Sequence, residues 1–331
     1  MVGAATPEAA AAPATGAMPT RTLGKTGHTL PVLGMGGAVL QHKYAEMLAV
    51  PKLSDEARIE MIRHGYDRGV RYVDTARGYG ESESIMGRAL KDVRDDVYLA
   101  TKVWALEPAA ARGSVESSLK ELGVDHVDAM QIHGPTLRRL GYDGGMKVRD
   151  ELDAMRDEGK LRFIGITGHD NFELMHRLVA TGGFDQLLIA YGYFRKGMLN
   201  MLSNEEVEWR DLCIAKAHEL GMGIVAMKVM GCYVYGHSSR RAVPAYDEAA
   251  RAQLPGAAIR WVLADPRISI LNIGICLPSD IDQNLATVCG DTTLTNADQM
   301  LLADFSGQAY ASPSLAELHE NRRWPDSSAD G

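Results

Sequence analysis

Cysteine, basic surface, aromatic residues and long apolar runs are all in short supply in this chain. Its 331 residues include 4 cysteines, Cys213, Cys232, Cys276 and Cys289. None of them forms a C-x-x-C pair and no histidine cluster accompanies them, so neither a zinc nor an iron–sulfur site is expected and no metal ligand is assigned. Buried free thiols in a reducing compartment are the simpler reading. Lys and Arg number 35 against 43 Asp and Glu, a net charge of −8. That balance argues against a surface that grips nucleic acid or an anionic membrane. No apolar run approaches the roughly 18 residues of a membrane-spanning helix. The stretch before Thr20 is rich in Ala and Pro, lacks a basic start and is interrupted by Pro7, Glu8 and Pro13. It reads as a disordered tail over residues 1–20 rather than a secretory leader, and a cytoplasmic location is expected.

What is present is the composition of a globular chain, 46% hydrophobic and 24% charged, with 34 glycines for tight turns. With only 6% aromatics, the interior is expected to be mainly aliphatic. Residues 21–33, turning around Lys25-Thr26-Gly27, predict a β-hairpin that covers the main body. Eight short apolar runs then recur, at 33–37, 72–76, 97–103, 127–133, 163–169, 186–191, 223–229 and 269–275. Runs of this length and uniformity suit parallel strands covered on both faces. Between them lie helix marks: Ser54 before Asp55 and Glu56 is an N-cap, and Gly69, Gly159 and Gly221 close helices ahead of strands. Eight strands alternating with helices predict a (β/α)8 TIM barrel over residues 21–312, with a C-terminal tail at 313–331 that folds a short helix before becoming disordered; an open doubly wound sheet is the alternative.

A barrel of this kind carries its chemistry at the C-terminal ends of its strands. The residues where the apolar runs turn polar are Asp74, Lys102, His133, Thr167 and Lys228. Asp74 and Lys102 end neighbouring strands in apolar surroundings, where each charge needs the other. Tyr79 follows in DTARGYGESE, aimed inward by the turns at Gly78 and Gly80. A phenol is a poor proton donor or acceptor at neutral pH unless a cation lowers its pKa, and Lys102 is expected to be that cation. His133 would place a second donor on a carbonyl oxygen. These parts suit hydride transfer to a carbonyl carbon with Tyr79 moving the proton, and the hydride must come from a nicotinamide cofactor.

Residues 69–87 (GVRYVDTARGYGESESIMG) resemble the D-T-A-x-x-Y-G-x-S-E segment of the aldo-keto reductases, VYLATK resembles the strand that brings that family's lysine, and 123–135 (GVDHVDAMQIHGP) resembles the segment that brings its histidine. The resemblance spans residues 21–309. It implies a TIM barrel, reduction of aldehydes or ketones or oxidation of the matching alcohol or sugar hydroxyl, and a catalytic tetrad of Asp74, Tyr79, Lys102 and His133. It also implies an NADP or NAD cofactor extended across the strand ends. In the second half, 159–169 is similar to the segment that binds the nicotinamide, with Thr167 and Gly168 where Ser and Asn are usual and His169 as a substitute. Gly192 stands where Asn is common. Met227 replaces a stacking tyrosine, and Lys228 points to the pyrophosphate. Residues 274–284 resemble the last Gly-rich turn, which carries Gly274, Ser279 and Asn284 over as cofactor contacts.

Ser279 and Asp282 read as a capping box, and a helix N-terminus there is suited to phosphate. Asp280 and Asp282 keep NAD(H) open beside NADP(H), by the argument that an acid favours a free ribose hydroxyl. Trp104 is placed in the substrate pocket or packed on the rim, and residues 41–55 form a specificity loop or a surface excursion. The expected partner is a small carbonyl or alcohol, with no nucleic acid and no membrane. Two rival readings remain: a cofactor-binding regulatory or sensing module with little turnover, and a lyase or isomerase using Lys102 as a Schiff-base amine.

Overall fold

Each of the eight apolar runs forms a parallel strand in the computed structural model, which describes residues 16–197 and 200–313. A two-stranded antiparallel hairpin comes first, β1 (Thr20–Thr22) and β2 (Thr29–Pro31). It begins at Thr20, one residue inside the stretch expected to be tail. Of the two expected tails, residues 1–15 and 314–331 lie outside the described residues. The barrel strands are β3 (Leu33–Gly36), β4 (Tyr72–Asp74), β5 (Tyr98–Val103), β6 (Val127–Ile132), β7 (Leu161–Gly168), β8 (Gln186–Ala190), β9 (Gly223–Met227) and β10 (Ile270–Gly274). They pair in sequence order, and β10 closes on both β9 and β3. The expectation of a closed (β/α)8 barrel is met.

Around the strands stand α1 (His42–Leu48), α2 (Asp55–Asp67), α3 (Ser82–Leu90), α4 (Ala111–Leu122), α5 (Gly134–Asp157), α6 (Phe172–Val179), α7 (Asn204–Glu219), α8 (Ser239–Ala242), α9 (Glu248–Leu263), α10 (Pro278–Val288) and α11 (Asn296–Ala311). Helix α2 starts as its sequence suggests: the Ser54 hydroxyl accepts from the Ala57 amide at 3.2 Å, with Asp55 and Glu56 in the first turn. Gly69, Gly159 and Gly221, expected as helix stops, all have positive φ. Among the described residues no helix is long and apolar enough to cross a membrane.

The hairpin covers the N-terminal ends of the strands. Leu23 is fully buried there, and the Arg21 guanidinium donates to the carbonyls of Leu263, Asp265 and Ile268. The interior near this end departs from the aliphatic expectation. Tyr72 stacks on Tyr98 with centroids 5.5 Å apart, Tyr98 on Phe163 at 6.2 Å, and Gln186 donates to the Tyr72 hydroxyl at 2.9 Å. Few aromatics in the chain still suffice to fill one layer of a narrow barrel, because each ring buries a large area. The stack plugs this end and leaves polar groups to the other.

Candidate active site

At the C-terminal rim the strand register brings the predicted side chains together. Asp74 ends β4 and pairs with Ala100 of β5, two residues before Lys102; Lys102 pairs in turn with Gln131 of β6, two residues before His133. Asp74, Lys102 and His133 are each 3% exposed or less. The Lys102 ammonium donates to the Asp74 carboxylate at 2.5 Å and to the Thr75 carbonyl at 2.6 Å. The other Asp74 oxygen accepts from the Gln131 amide at 2.7 Å. Tyr79 sits on a turn in which its amide donates to Ala76 and its carbonyl accepts from Ser82, with Gly80 at positive φ. Its ring lies 5.8 Å from that of His133, edge to face, and its centroid is 4.8 Å from the Lys102 ammonium.

The electrostatics differ in one respect from the expectation. Burial and the adjacent Asp74 carboxylate push the Tyr79 phenol well above its ordinary pKa. The Lys102 ammonium, 4.8 Å from the ring centroid and bonded to Asp74 and Thr75, does not outweigh them. Burial also pulls Lys102 below its usual range, with Asp74 opposing. His133 is held far below the usual imidazole range by burial, then by Lys102 and Arg138, and is a neutral ring at physiological pH. Its Nδ1 has no hydrogen-bond partner among the described residues.

The Tyr79 side chain borders a cleft of about 600 Å³ that also touches Asp74, His169, Met227, Lys228 and Asn272. Two buried polar atoms on this wall, His169 Nδ1 and Asn272 Oδ1, have no hydrogen-bond partner among the described residues. The cleft therefore offers a ligand both unpaired polar groups and an apolar methionine surface.

A family model, described as the aldo/keto reductase family, matches residues 32–299. The chain belongs to the aldo/keto reductase family. It is 26% identical over 324 residues to L-galactose dehydrogenase of Arabidopsis thaliana, covering 92% of this chain and 96% of that one. Aldo-keto reductase YhdN of Bacillus subtilis is 32% identical over 161 residues, a match that spans 44% of this chain and 46% of that relative. Among solved structures, aldo-keto reductase AKR11C1 from Bacillus halodurans in its holo form superposes with a TM-score of 0.68 at 20% identity, covering 87% of this chain and 96% of that one. The thermostable aldo-keto reductase Tm1743, solved with the inhibitor epalrestat, gives 0.65 at 22% identity over 87% of this chain and 100% of that one. The structural likeness is one of fold.

Other positions singled out in this aldo/keto reductase divide between the cleft and the packing. Met227, Lys228 and Gly274 line the cleft, and so does His169, whereas Thr167, Gly168, Ser279 and Asn284 do not. At Gly168 a Cβ would lie 2.4 Å from the Met175 sulfur of α6, so a larger residue there would displace that flexible side chain. Lys228 adopts φ 66° and its carbonyl would be 2.7 Å from a Cβ at residue 192, so Gly192 is the space that lets this turn close. Trp104 packs its ring against the backbone of Gly78 and lies 5.5 Å from His133.

The expected capping box of Ser279 and Asp282 is not formed. Ser279 is exposed, and the Asp280 carboxylate instead accepts from the amides of Cys276 and Leu277 at 2.8 and 3.0 Å. Asp282 binds Arg68 at 2.7 Å and His64 at 3.1 Å, and Asp280 pairs with His237. The helix starts two residues earlier than the sequence pattern suggests because Pro278 occupies its first position. Both acids are thus matched by cationic or imidazole partners and do not present unpaired negative charge to a ribose phosphate.

Sequence reasoning passed over several residues. Gln131 orients Asp74, and its signal was legible: a polar residue inside an apolar strand, in step with His133. Glu83 is 1% exposed and accepts from the Thr101 hydroxyl at 2.6 Å, beside the strand position of Lys102. Residues 41–55 are built into the rim: α1 buries Leu48 against Val39 and Cys276, and Arg58 beneath it bonds Leu40, Asp55, His42 and Glu81. None of the four cysteines is in a disulfide; Cys213, Cys232 and Cys276 are buried as expected and Cys289 is half-buried.

Proposed function

We propose that this aldo/keto reductase interconverts the carbonyl and alcohol forms of a small molecule with NADP(H) or NAD(H), using Tyr79 to give and take the proton. The meeting of Asp74, Tyr79, Lys102 and His133 at one rim carries this reading. When bound, the dinucleotide supplies or accepts the hydride, chemistry that no side chain of the chain provides. Met227, Lys228 and Gly274 would hold it along the cleft, with the unpaired His169 and Asn272 atoms as polar contacts; Thr167, Gly168, Ser279 and Asn284 follow from the family resemblance.

The side chains divide the remaining work. Tyr79, a phenol whose pKa burial and Asp74 raise further, carries its proton across the neutral range and gives it to the substrate oxygen in reduction. As the proton leaves, the ammonium over the ring favours the phenolate that forms. Neutral His133 can donate to the substrate oxygen without bringing a charge of its own. Asp74 and Gln131 keep Lys102 in place, and the same hold argues against a Schiff-base lyase, since a buried amine paired to a carboxylate is a poor nucleophile. The long match to L-galactose dehydrogenase favours an aldose or a sugar hydroxyl over other carbonyl substrates.

A Tyr79→Phe variant assayed with aldehydes and aldoses, with both dinucleotides, tests the reading. The expected result is a fall in kcat of roughly 10²- to 10⁴-fold with dinucleotide affinity retained. Full activity in the variant would refute the proton role, and tight dinucleotide binding by the unmodified chain without turnover on any of these substrates would select the regulatory module instead.

A further inference from the structure

We propose that His237, Cys276 and Asp280 form a binding site for a borderline divalent ion such as Zn²⁺, joining the loop after β9 to the start of α10. No spacing in the sequence suggests it, because Cys276 and Asp280 share one turn while His237 arrives from a separate loop. Among the described residues this trio is drawn together: one imidazole nitrogen, the thiol sulfur and a carboxylate oxygen all lie within 4.8 Å of one another. The mixed nitrogen, sulfur and oxygen set is that of zinc rather than of calcium or magnesium, and three protein ligands leave a fourth place for water.

The carboxylate is already oriented for this role. One Asp280 oxygen is held by the backbone amides of Cys276 and Leu277, and His237 Nε2 straddles the carboxylate, 3.0 Å from the other oxygen and 3.1 Å from this one. Hydrogen bonding of a ligand carboxylate by groups behind it is the supporting arrangement found at metal sites. Cys276 is 7% exposed and packs with Val39 and Leu48, so its sulfur is confined to this corner. Bonds of roughly 2.0–2.3 Å to a tetrahedral ion require the widest separation in the trio to shorten by up to about 1 Å and the 3.0 Å contact between Asp280 and His237 to widen slightly. On binding, the sulfur, the imidazole nitrogen and the carboxylate oxygen replace three of the ion's waters, the thiol proton passes to solvent, the Nε2 proton moves to Nδ1 or, from a protonated ring, to solvent, and no electron moves. The ion would fasten a loop in which Lys228, Cys232 and Tyr233 all have left-handed backbone to the helix at the last strand. The inference stands apart from the reading of Tyr79.

Titration of the metal-free full chain with Co²⁺ tests it by absorption. The expected result is a thiolate-to-cobalt band in the near ultraviolet together with visible bands of four-coordinate intensity, all displaced by Zn²⁺. Cys276→Ala should abolish the near-ultraviolet band, and His237→Ala should weaken Co²⁺ binding roughly tenfold or more. A band that survives Cys276→Ala, or no band up to millimolar Co²⁺, would overturn the site and leave His237 and Asp280 as an ion pair only. Should Cys276→Ala fail to fold by circular dichroism, His237→Ala decides alone: undiminished affinity in that variant refutes the proposal.

Discussion

The rim of the barrel turns on a single buried pair. Asp74 and Lys102 are 2% and 1% exposed, so each charge is tolerated only through the other and through Gln131 and the Thr75 carbonyl. Asp74→Asn removes one charge and leaves the ammonium buried. We expect a loss of about 3–5 kcal/mol in urea unfolding, with most of it restored in the double variant Asp74→Asn, Lys102→Met. If the double variant is no more stable than the single one, the pair is not the source of the loss. The types of these residues were legible in the sequence, because each interrupts an apolar run. Their protonation was not. The direction of the Tyr79 shift depends on how deeply the phenol is buried and on how close Asp74 lies, and neither can be read from spacing along the chain.

Among the elements, strands and helices followed their periodicity while helix starts and loops did not. Ser54 caps α2 as read, but at α10 the cap position is Leu277 rather than Ser279, with Asp280 of the first turn bonding back to its amide, because a proline at the first helical position shifts the frame. A comparable clamp holds α9 to α11. Arg260 donates both to Asp298 Oδ2 at 2.9 Å and to its other oxygen, and Asp298 closes a capping box with Thr295. The hydrogen bond from Arg260 foremost holds the Asp298 carboxyl down at about 2, against an ordinary value of 3.8. A depressed carboxyl contributes stability that is fully present above its unfolded pKa and is lost as pH falls through the folded one. Asp298→Asn should therefore cost about 2 kcal/mol at pH 7, with the difference from the unmodified chain shrinking between pH 4 and pH 2. A difference constant over that range in denaturant unfolding would show that the charge is irrelevant. Loops were least legible: α1 packs on the rim and Lys228 turns left-handed because of backbone groups remote in sequence.

Across the whole molecule, the two ends of the barrel do different work. The hairpin and the Tyr72–Tyr98–Phe163 stack close one end, and the polar rim with its cleft occupies the other. Leu23→Ala, which empties a fully buried position under the hairpin, should lower Tm by roughly 5–10 °C while leaving kcat at 25 °C unchanged. A matching fall in kcat would mean that the two ends are coupled. Eight strands, their order and the rim residues were determined by the sequence alone, since apolar periodicity and polar interruption are local properties and a parallel barrel has few ways to satisfy them. The stack inside the barrel, the partners of Asp280 and Asp282, the pairing of His237 with the α10 turn and the raised pKa of Tyr79 were decided only by tertiary structure. Each depends on distances between atoms far apart in the chain, and Coulomb, desolvation and packing energies vary with those distances rather than with order along the sequence.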